Sequence, residues 1–172
     1  LGAMLASGQL TSLIFWGPPG VGKTTLARLL ADHTDLFFEQ ISAIFSGVAD
    51  LKKCFEAARL RHKNGRGTLL FVDEIHRFNR AQQDGFLPYI EDGSILLVGA
   101  STENPSFELN AALLSRAQVL VLTHLADSDL MQLMVRAEAV LNRDLPLTFE
   151  AKELLITMAD GDGRMLLNLV EQ

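Results

Sequence analysis

Residues 13–25 read Leu13-Ile14-Phe15-Trp16-Gly17-Pro18-Pro19-Gly20-Val21-Gly22-Lys23-Thr24-Thr25. The four apolar residues at the start predict a strand, and a helical pattern begins at Lys23. Between them, residues 17–24 match the pattern G-x-x-x-x-G-K-[ST] at every fixed position. Glycines let a backbone wrap closely around a polyphosphate, and the N–H groups at a helix start bind its negative charge. The stretch therefore predicts a strand, a phosphate-binding loop and a helix in succession.

Short apolar runs alternate with helix-length segments beyond this stretch. The predicted strands are Leu13–Trp16, Phe37–Ile41, Leu69–Asp73, Ile95–Ala100 and Val119–Leu122. The predicted helices between them are Lys23–Asp32, Val48–Lys63 and Arg80–Ile90. Most of the strands are apolar throughout, which is typical of strands covered by helices on both faces. The alternation predicts an α/β fold, a three-layer αβα core with a mainly parallel five-stranded sheet.

The pattern changes to helices alone after the fifth strand. A cap at residues 127–129 is predicted to begin the first helix, whose apolar stripe is Leu130, Leu133, Met134, Ala137, Val140 and Leu141. Thr148 is predicted to cap a second helix, and a third leads from residues 161–163 to Gln172. We predict two domains, a nucleotide-binding core at residues 1–124 and a small helical domain at residues 125–172. Because the chain ends within or just after the third helix, we expect it to be part of a longer protein.

Composition limits the classes of protein that fit. The 172 residues are 48% apolar and 21% charged, and their formal net charge is −6. An acidic chain disfavours nucleic-acid binding through a uniformly basic surface. The single cysteine, Cys54, disfavours a disulfide framework, and no run of 18 apolar residues predicts a membrane span. These features favour a cytoplasmic protein.

Two carboxylates follow the third apolar run, at Asp73 and Glu74. Asp73 is suited to hold Mg²⁺, together with the hydroxyl of Thr24. Glu74 is suited to orient and deprotonate an attacking water, and Lys23 to reach the β- and γ-phosphates of ATP. The combination predicts a site that binds ATP and Mg²⁺ and hydrolyses the nucleotide.

Three further regions supply candidates for sensing the γ-phosphate. Thr102 and Asn104 follow the fourth strand at the sheet edge where the phosphate loop is expected, and either of them could orient the water. Arg116 precedes the fifth strand. Arg164 falls in the first turn of the last predicted helix, where a cation opposes the helix dipole and gains from an anionic partner.

Together these motifs resemble those of the AAA+ ATPases, and within them the clamp-loader clade. Residues 17–24 resemble Walker A, residues 69–74 Walker B, Thr102 or Asn104 sensor 1, and residues 161–168 the sensor 2 helix. Ser115-Arg116 resembles the arginine finger of the clamp loaders' Ser-Arg-Cys motif, with Ala117 in place of the cysteine. The resemblance implies a P-loop NTPase core with a helical lid. It places the nucleotide against Gly17, Pro18, Pro19, Gly20, Val21, Gly22, Lys23, Thr24 and Thr25.

Longer strings resemble the RarA/MgsA family of replication-associated recombination proteins, which is related to the Werner-helicase-interacting protein. They are Phe71-Val72-Asp73-Glu74-Ile75-His76-Arg77-Phe78-Asn79, Gln82-Gln83-Asp84, Ile90-Glu91-Asp92-Gly93 and Thr102-Glu103-Asn104-Pro105-Ser106-Phe107-Glu108-Leu109-Asn110. These strings are far more specific than the Walker motifs.

This resemblance implies a homo-oligomeric, DNA-stimulated ATPase of the bacterial cytosol or nucleoid that acts at stalled replication forks. Forked or duplex-end DNA and single-strand-binding protein are the implied partners, with assembly partly through regions outside this chain. Arg116 is expected to act on the nucleotide of a neighbouring subunit and Arg164 on the nucleotide of its own chain.

Other functions compete with this interpretation. A clamp-loader or Holliday-junction-motor-like subunit fits the same motifs, and so does a nucleotide-binding scaffold without turnover. Asp73-Glu74-Ile75-His76 is also found in helicases that use a phosphate loop, although such helicases draw their arginines from a second similar domain. A basic cluster of Arg59, Arg61, Lys63 and Arg66, with His62 among them, lies at the end of the second predicted helix, where cations offset the helix dipole. The position of the DNA contact stays open.

Overall fold

The computed structural model describes residues 10–171, so Gln172, the predicted end of the last helix, lies outside it. Within this range the strands are β1 (Ser12–Trp16), β2 (Phe37–Ser42), β3 (Thr68–Asp73), β4 (Ile95–Ser101) and β5 (Ala117–Val121). All of the pairings in this five-stranded sheet are parallel, and the strand order is β2-β3-β4-β1-β5. The predicted α/β fold with a five-stranded parallel sheet is confirmed.

Helices connect the strands and then follow the sheet. In residues 10–171 they are α1 (Lys23–Asp32), α2 (Val48–Lys63), α3 (Arg80–Asp84), α4 (Leu87–Glu91), α5 (Pro105–Glu108), α6 (Ala111–Leu114), α7 (Asp127–Leu141), α8 (Phe149–Ala159) and α9 (Gly163–Glu171), with a 3₁₀ turn at Ile75–Arg77. The predicted bounds of α1 and α2 are confirmed. None of the helices in the described range combines the length and the apolar character needed to cross a membrane.

The strands at the centre of the sheet are buried because their side chains are apolar on both faces. The side chains of Leu70, Phe71 and Val72 in β3 are fully buried. Against the sheet, Phe55 of α2 packs edge-on to Phe86, with ring centroids 5.0 Å apart. The strands at the two edges, β2 and β5, are more exposed. The candidate residues Asp73, Glu74 and Thr102 lie at the carboxyl ends of the buried strands β3 and β4.

The segment Arg80–Ile90 is two helices rather than the one predicted. Pro88 has no N–H with which to continue a helix from the preceding turn. It occupies the first turn of α4, where an N–H has no intrahelical partner. The single-helix prediction was wrong because it passed through this proline.

Three smaller predictions also differ from the structure. β5 begins at Ala117, which pairs with Ser12 of β1, so the strand includes the polar Gln118 that the apolar run excluded. The cap predicted at residues 127–129 is wrong, because Ala126 is the N-cap and Asp127 already lies in the helix. In the predicted stripe of α7, Leu130 and Met134 are buried but Val140 is 86% exposed.

Residues 10–16 and 23–121 form one compact unit, and residues 17–22 and 122–171 form another. The first contains the sheet and helices α1 to α6. The second contains the phosphate loop and helices α7 to α9, around a small core of Leu130, Met134, Ile156, Ala159 and Leu166. The boundary at residue 124 and the role of these helices as a lid stay predictions.

Candidate functional site

The phosphate loop has a backbone that only glycine adopts readily. Gly20 has φ +71° and Gly22 has φ +90°, both in the left-handed half of conformational space. At Gly17 a Cβ atom would lie 2.2 Å from the carbonyl oxygen of Leu122, so no larger residue fits there. The glycines of the motif are thus required by the shape of the loop.

The start of α9 is hydrogen-bonded to this loop. The N–H of Gly163 donates to the carbonyl oxygen of Gly20 at 3.2 Å. Asp162 caps the helix, because its Oδ1 accepts the N–H groups of Arg164 at 2.8 Å and Met165 at 2.9 Å. These contacts place exposed Arg164 in the first turn of a helix that begins beside the phosphate loop.

Lys23, Thr24 and Thr25 form the first turn of α1 in the other unit. Lys23 is only 8% exposed, Thr24 is half-buried and Thr25 is exposed. A buried lysine is uncommon unless a specific role holds it there. The positive end of the helix dipole attracts negative charge, which makes the start of α1 suited to an anion.

Asp73 is the last residue of β3 and Glu74 directly follows it, in the same unit as α1, and both are half-buried. Among residues 10–171 the Asp73 carboxylate has no hydrogen bond or ion pair, so its oxygens are available to a cation. Glu74 has φ +54° and ψ +45°, a left-handed conformation that turns the chain from β3 into the 3₁₀ turn. Such a conformation is unusual for a residue other than glycine, asparagine or aspartate and turns the carboxylate away from the line of the strand.

Two side chains contact the Glu74 carboxylate, one from the 3₁₀ turn and one from the residue after β4. Thr102 Oγ1 donates to Glu74 Oε2 at 3.2 Å, and His76 Nε2 lies 3.2 Å from the same oxygen. His76 Nδ1 is 2.9 Å from the hydroxyl of Ser101 at the end of β4. Parallel pairing of β3 with β4 brings these residues together, since the carboxyl ends of both strands meet at one edge.

The two candidates for sensor 1 have different surroundings. Thr102 contacts Glu74, whereas Asn104 is the N-cap of α5 and its Oδ1 accepts the N–H of Ser106 at 3.0 Å. The structure therefore brings one of the two alternatives onto the carboxylate and gives the other a local capping contact.

Arg116 directly precedes β5, at the amino-terminal end of the parallel strands, whereas Glu74 directly follows β3, at their carboxyl end. Its guanidinium donates to Glu91 Oε1 at 2.9 Å through Nε and approaches the same oxygen to 2.6 Å through Nη2. Nη1 donates to the carbonyl oxygen of Ala112 at 2.9 Å. The strand register puts Arg116 level with Leu69, so five strand residues and three strand spacings separate it from Glu74, about 20 Å in all. The two residues do not meet within one chain.

The arginines of the basic cluster are paired with acidic neighbours. Arg59 bonds Asp92 at 3.0 Å, Arg61 bonds Glu39, and Arg66 lies 3.9 Å from Asp35. Arg61 also covers the ring of Phe37 at 3.8 Å. These contacts give the cluster a structural explanation at the end of α2.

Several of the strings quoted above as specific meet around Gln83, which is 1% exposed. Its amide donates to the carbonyl oxygens of Phe78 at 2.9 Å and Glu108 at 3.2 Å, and its oxygen accepts the N–H of Asn110 at 2.9 Å. Gln83 thus joins three separate segments of the chain, and this part of the motif set supports the site rather than forming it.

Sequence reasoning did not assign a role to His76, Ser101 or Glu91. His76 has a signal in the helicase-like string Asp-Glu-x-His and in the family-specific string at residues 71–79, but neither string predicts its contacts. Glu91 lies in one of the family-specific strings and Ser101 carries no local signal. The contacts of both residues depend on strand order and on segments far apart in the sequence.

The fold and these residues define a nucleotide-binding class of protein, and the comparison with known families agrees. The family model described as "ATPase family associated with various cellular activities (AAA)" matches residues 13–125, so this chain belongs to the AAA family. It is 48% identical over 172 residues to the replication-associated recombination protein A of Escherichia coli strain K12. The aligned region covers 97% of this chain and 38% of that protein. It is 44% identical to the ATPase WRNIP1 of Dictyostelium discoideum, over 98% of this chain and 20% of that protein.

A solved structure has a similar fold. The chain matches the RuvB Holliday junction branch migration motor of Thermotoga maritima with a TM-score of 0.80 and 28% identity, over 99% of this chain and 57% of that one. The chain spans 38% of the length of the Escherichia coli protein and 39% of the replication-associated recombination protein A of Coxiella burnetii, less than half of either relative. The predicted resemblance to AAA proteins of replication-associated recombination is confirmed, and the chain is an AAA module homologous to those proteins and to RuvB.

Proposed function

We propose that this chain is the ATP-hydrolysing module of a homo-oligomeric, DNA-stimulated ATPase that acts at stalled replication forks. The observation that carries the proposal is the Glu74 carboxylate, held by the Thr102 hydroxyl at 3.2 Å immediately after a buried strand. The left-handed backbone of Glu74 has an energetic cost of about 1–3 kcal/mol, and such residues cluster at active sites. Glu74 is accordingly the proposed base that orients and deprotonates the attacking water.

The residues at the start of α1 and the end of β3 fit ATP and Mg²⁺ in their chemistry. Lys23 would contact the β- and γ-phosphates, and the N–H groups of the phosphate loop would bind the remaining charge. Thr24 and Asp73 offer hydroxyl and carboxylate oxygens, the donors that Mg²⁺ prefers. When bound, Mg²⁺ would neutralise phosphate charge.

Thr102 is the proposed sensor 1 residue. Its hydroxyl already orients Glu74, so the same group can report on the phosphate end of the nucleotide. Asn104 keeps its side-chain oxygen on the N–H of Ser106, which supports a role in starting α5 instead.

Arg116 is proposed to act in trans and Arg164 in cis. The separation of about 20 Å between Arg116 and Glu74 along the sheet exceeds the length of an arginine side chain, which favours a nucleotide on a neighbouring subunit. Arg164 belongs to a helix whose first N–H bonds the phosphate loop of the same chain, which favours the chain's own nucleotide. A guanidinium at the γ-phosphate would stabilise transition-state charge.

The role at forks rests on the relatives. The 48% identity to replication-associated recombination protein A supports DNA as the stimulating partner, with forks, single-strand/duplex junctions or duplex ends as its form and single-strand-binding protein as a second partner. A branch-migration motor is the second candidate, which the similarity to RuvB favours.

The test compares Glu74→Gln with the wild type in the natural full-length protein. The variant should bind ATP with unchanged affinity, while turnover falls by roughly 10²-fold or more, as expected for a lost general base. Glu56→Gln on the exposed face of α2 is the matched control and should keep full turnover. Turnover near the wild-type value in Glu74→Gln would assign the base to another residue.

The choice of DNA separates the two candidate functions. ATP turnover is measured with single-stranded, blunt-ended, forked and four-way-junction DNA at one ionic strength, because electrostatic DNA binding depends on salt. Strongest stimulation by forks or duplex ends supports the proposed function, whereas ATP-driven movement of a four-way junction supports the branch-migration motor. A rate unchanged by every DNA contradicts both.

A further inference from the structure

His76 is a buried polar residue whose two ring nitrogens face different partners. Its side chain is only 5% exposed. Nδ1 lies 2.9 Å from the Ser101 hydroxyl, and Nε2 lies 3.2 Å from Glu74 Oε2. Nε2 is buried and makes no hydrogen bond of good geometry among the described residues. The Glu74 carboxylate is the polar group that lies beside it. An imidazole in this state requires an explanation, since buried polar atoms are rarely left without a partner.

The Ser101 hydroxyl has one hydrogen and three polar neighbours. Ser101 Oγ accepts the N–H of Glu103 at 3.0 Å, and it lies 2.8 Å from the carbonyl oxygen of Glu103 and 2.9 Å from His76 Nδ1. The Glu74 carboxylate only accepts, so the contact at Oε2 needs the imidazole hydrogen on Nε2. In the neutral ring Nδ1 then accepts the Ser101 hydrogen, which fixes the ring on a fully buried residue at the end of β4.

The contacts to Glu74 select one of its two oxygens. Thr102 and His76 both lie at Oε2, and no contact within residues 10–171 falls on Oε1. A carboxylate held in this way has one oxygen turned towards its neighbours and the other turned away from them. Oε1 is thereby left as the oxygen that can accept a proton from water.

We propose that His76 is a positioning residue for the Glu74 carboxylate, holding Oε2 beside Thr102 so that Oε1 faces the attacking water. The chain of contacts runs from Ser101 through His76 to Glu74. This inference rests on the proposed function, because it assigns His76 an effect on ATP turnover that acts only through Glu74. In this role His76 acts through Glu74 and needs no contact with the nucleotide.

Two substitutions divide the contacts of the imidazole. In His76→Asn the amide takes the position of Nδ1 and can still bond Ser101, but it does not reach Glu74. In His76→Gln the amide takes the position of Nε2 and can still bond Glu74. Each variant is made in the natural full-length protein, with His33→Asn, an exposed histidine just after the end of α1, as the matched control.

We expect His76→Asn to lower kcat about 10- to 100-fold, the range for groups that orient a catalytic residue, with the dissociation constant of ATP unchanged. His76→Gln should recover most of this loss, and His33→Asn should match the wild type. Equal losses in the Asn and Gln variants, or wild-type kcat in both, would overturn the proposal. So would a weakened ATP affinity that accounts for the lower turnover.

Single-turnover rates in a Glu74→Gln background supply the second readout. If His76 acts only through Glu74, adding His76→Asn to Glu74→Gln should slow hydrolysis no further, because residues that act as a unit are not additive. A further loss as large as that in the wild-type background would show a structural role and overturn the proposal. Wild-type ATP turnover in the single variant Glu74→Gln contradicts the proposed function. Loss of turnover in Glu74→Gln together with full turnover in His76→Asn contradicts only this inference.

Thermal unfolding shows whether His76→Asn folds. If it does not, Ser101→Ala replaces it, since this change removes the hydroxyl that holds Nδ1 and leaves the ring in place. Ser101→Ala should lower kcat without changing ATP affinity, and a kcat equal to that of the wild type would overturn the proposal.

Discussion

Replacing Gly20 by alanine tests the contact between the phosphate loop and the start of α9. The φ of +71° at Gly20 is unfavourable for alanine by about 1–2 kcal/mol. The new Cβ would lie 1.7 Å from Asp162 Oδ1, so the carboxylate must leave the N–H groups of Arg164 and Met165. Loss of that cap costs about 1 kcal/mol more. Gly20→Ala should therefore lower the free energy of unfolding by about 2–3 kcal/mol.

Gly22→Ala is the matched control for this change. Gly22 has φ +90°, but a Cβ there would meet no atom within 4 Å. Its cost should be the backbone share alone, about 1–2 kcal/mol. In an Asp162→Ala background, Gly20→Ala should cost no more than Gly22→Ala, because the atoms that it displaces are gone.

Urea unfolding followed by the fluorescence of Trp16 provides the assay. Trp16 is the single tryptophan of the chain and directly precedes the phosphate loop, so its signal reports on this region. The midpoint and slope together give the free energy of each variant. Equal costs for Gly20→Ala and Gly22→Ala, or an unchanged cost of Gly20→Ala in the Asp162→Ala background, would refute the contact.

Three other predictions address binding, assembly and the buried thiol. Lys23→Ala should weaken ATP binding in a calorimetric titration while leaving the fold intact, and an unchanged affinity would remove Lys23 from the site. Full-length Lys23→Ala mixed with full-length Arg116→Ala should recover ATP turnover as subunits exchange, because some interfaces then pair an intact phosphate loop with an intact arginine; mixtures as inactive as the separate variants would contradict the trans role. Burial, with the nearby Glu39 carboxylate, raises the pKa of Cys54 to about 12, so a thiol reagent at pH 8 should label it only after unfolding.

Local sequence determined the bounds of the first two helices and the glycines of the phosphate loop. Helix α1 ends at the predicted Asp32 and α2 spans the predicted Val48–Lys63, since apolar periodicity and helix ends are written within a few residues of each other. The phosphate-loop pattern likewise identified its glycines, because a left-handed turn restricts the residue type at the position itself. The same local reasoning, applied to Pro88, predicts that the segment Arg80–Ile90 is not one continuous helix.

Tertiary structure decided which of these residues meet. The strand order β2-β3-β4-β1-β5 sets β4 beside β3, and this places Thr102 and His76 on Glu74 while Asn104 caps a helix. The same order and register put Arg116 about 20 Å from Glu74. Hydrophobic periodicity predicts which face of a strand or helix is buried, but it does not predict which strand lies next to which. Adjacency depends on pairing between segments far apart in the chain, so it appears only once the sheet is formed.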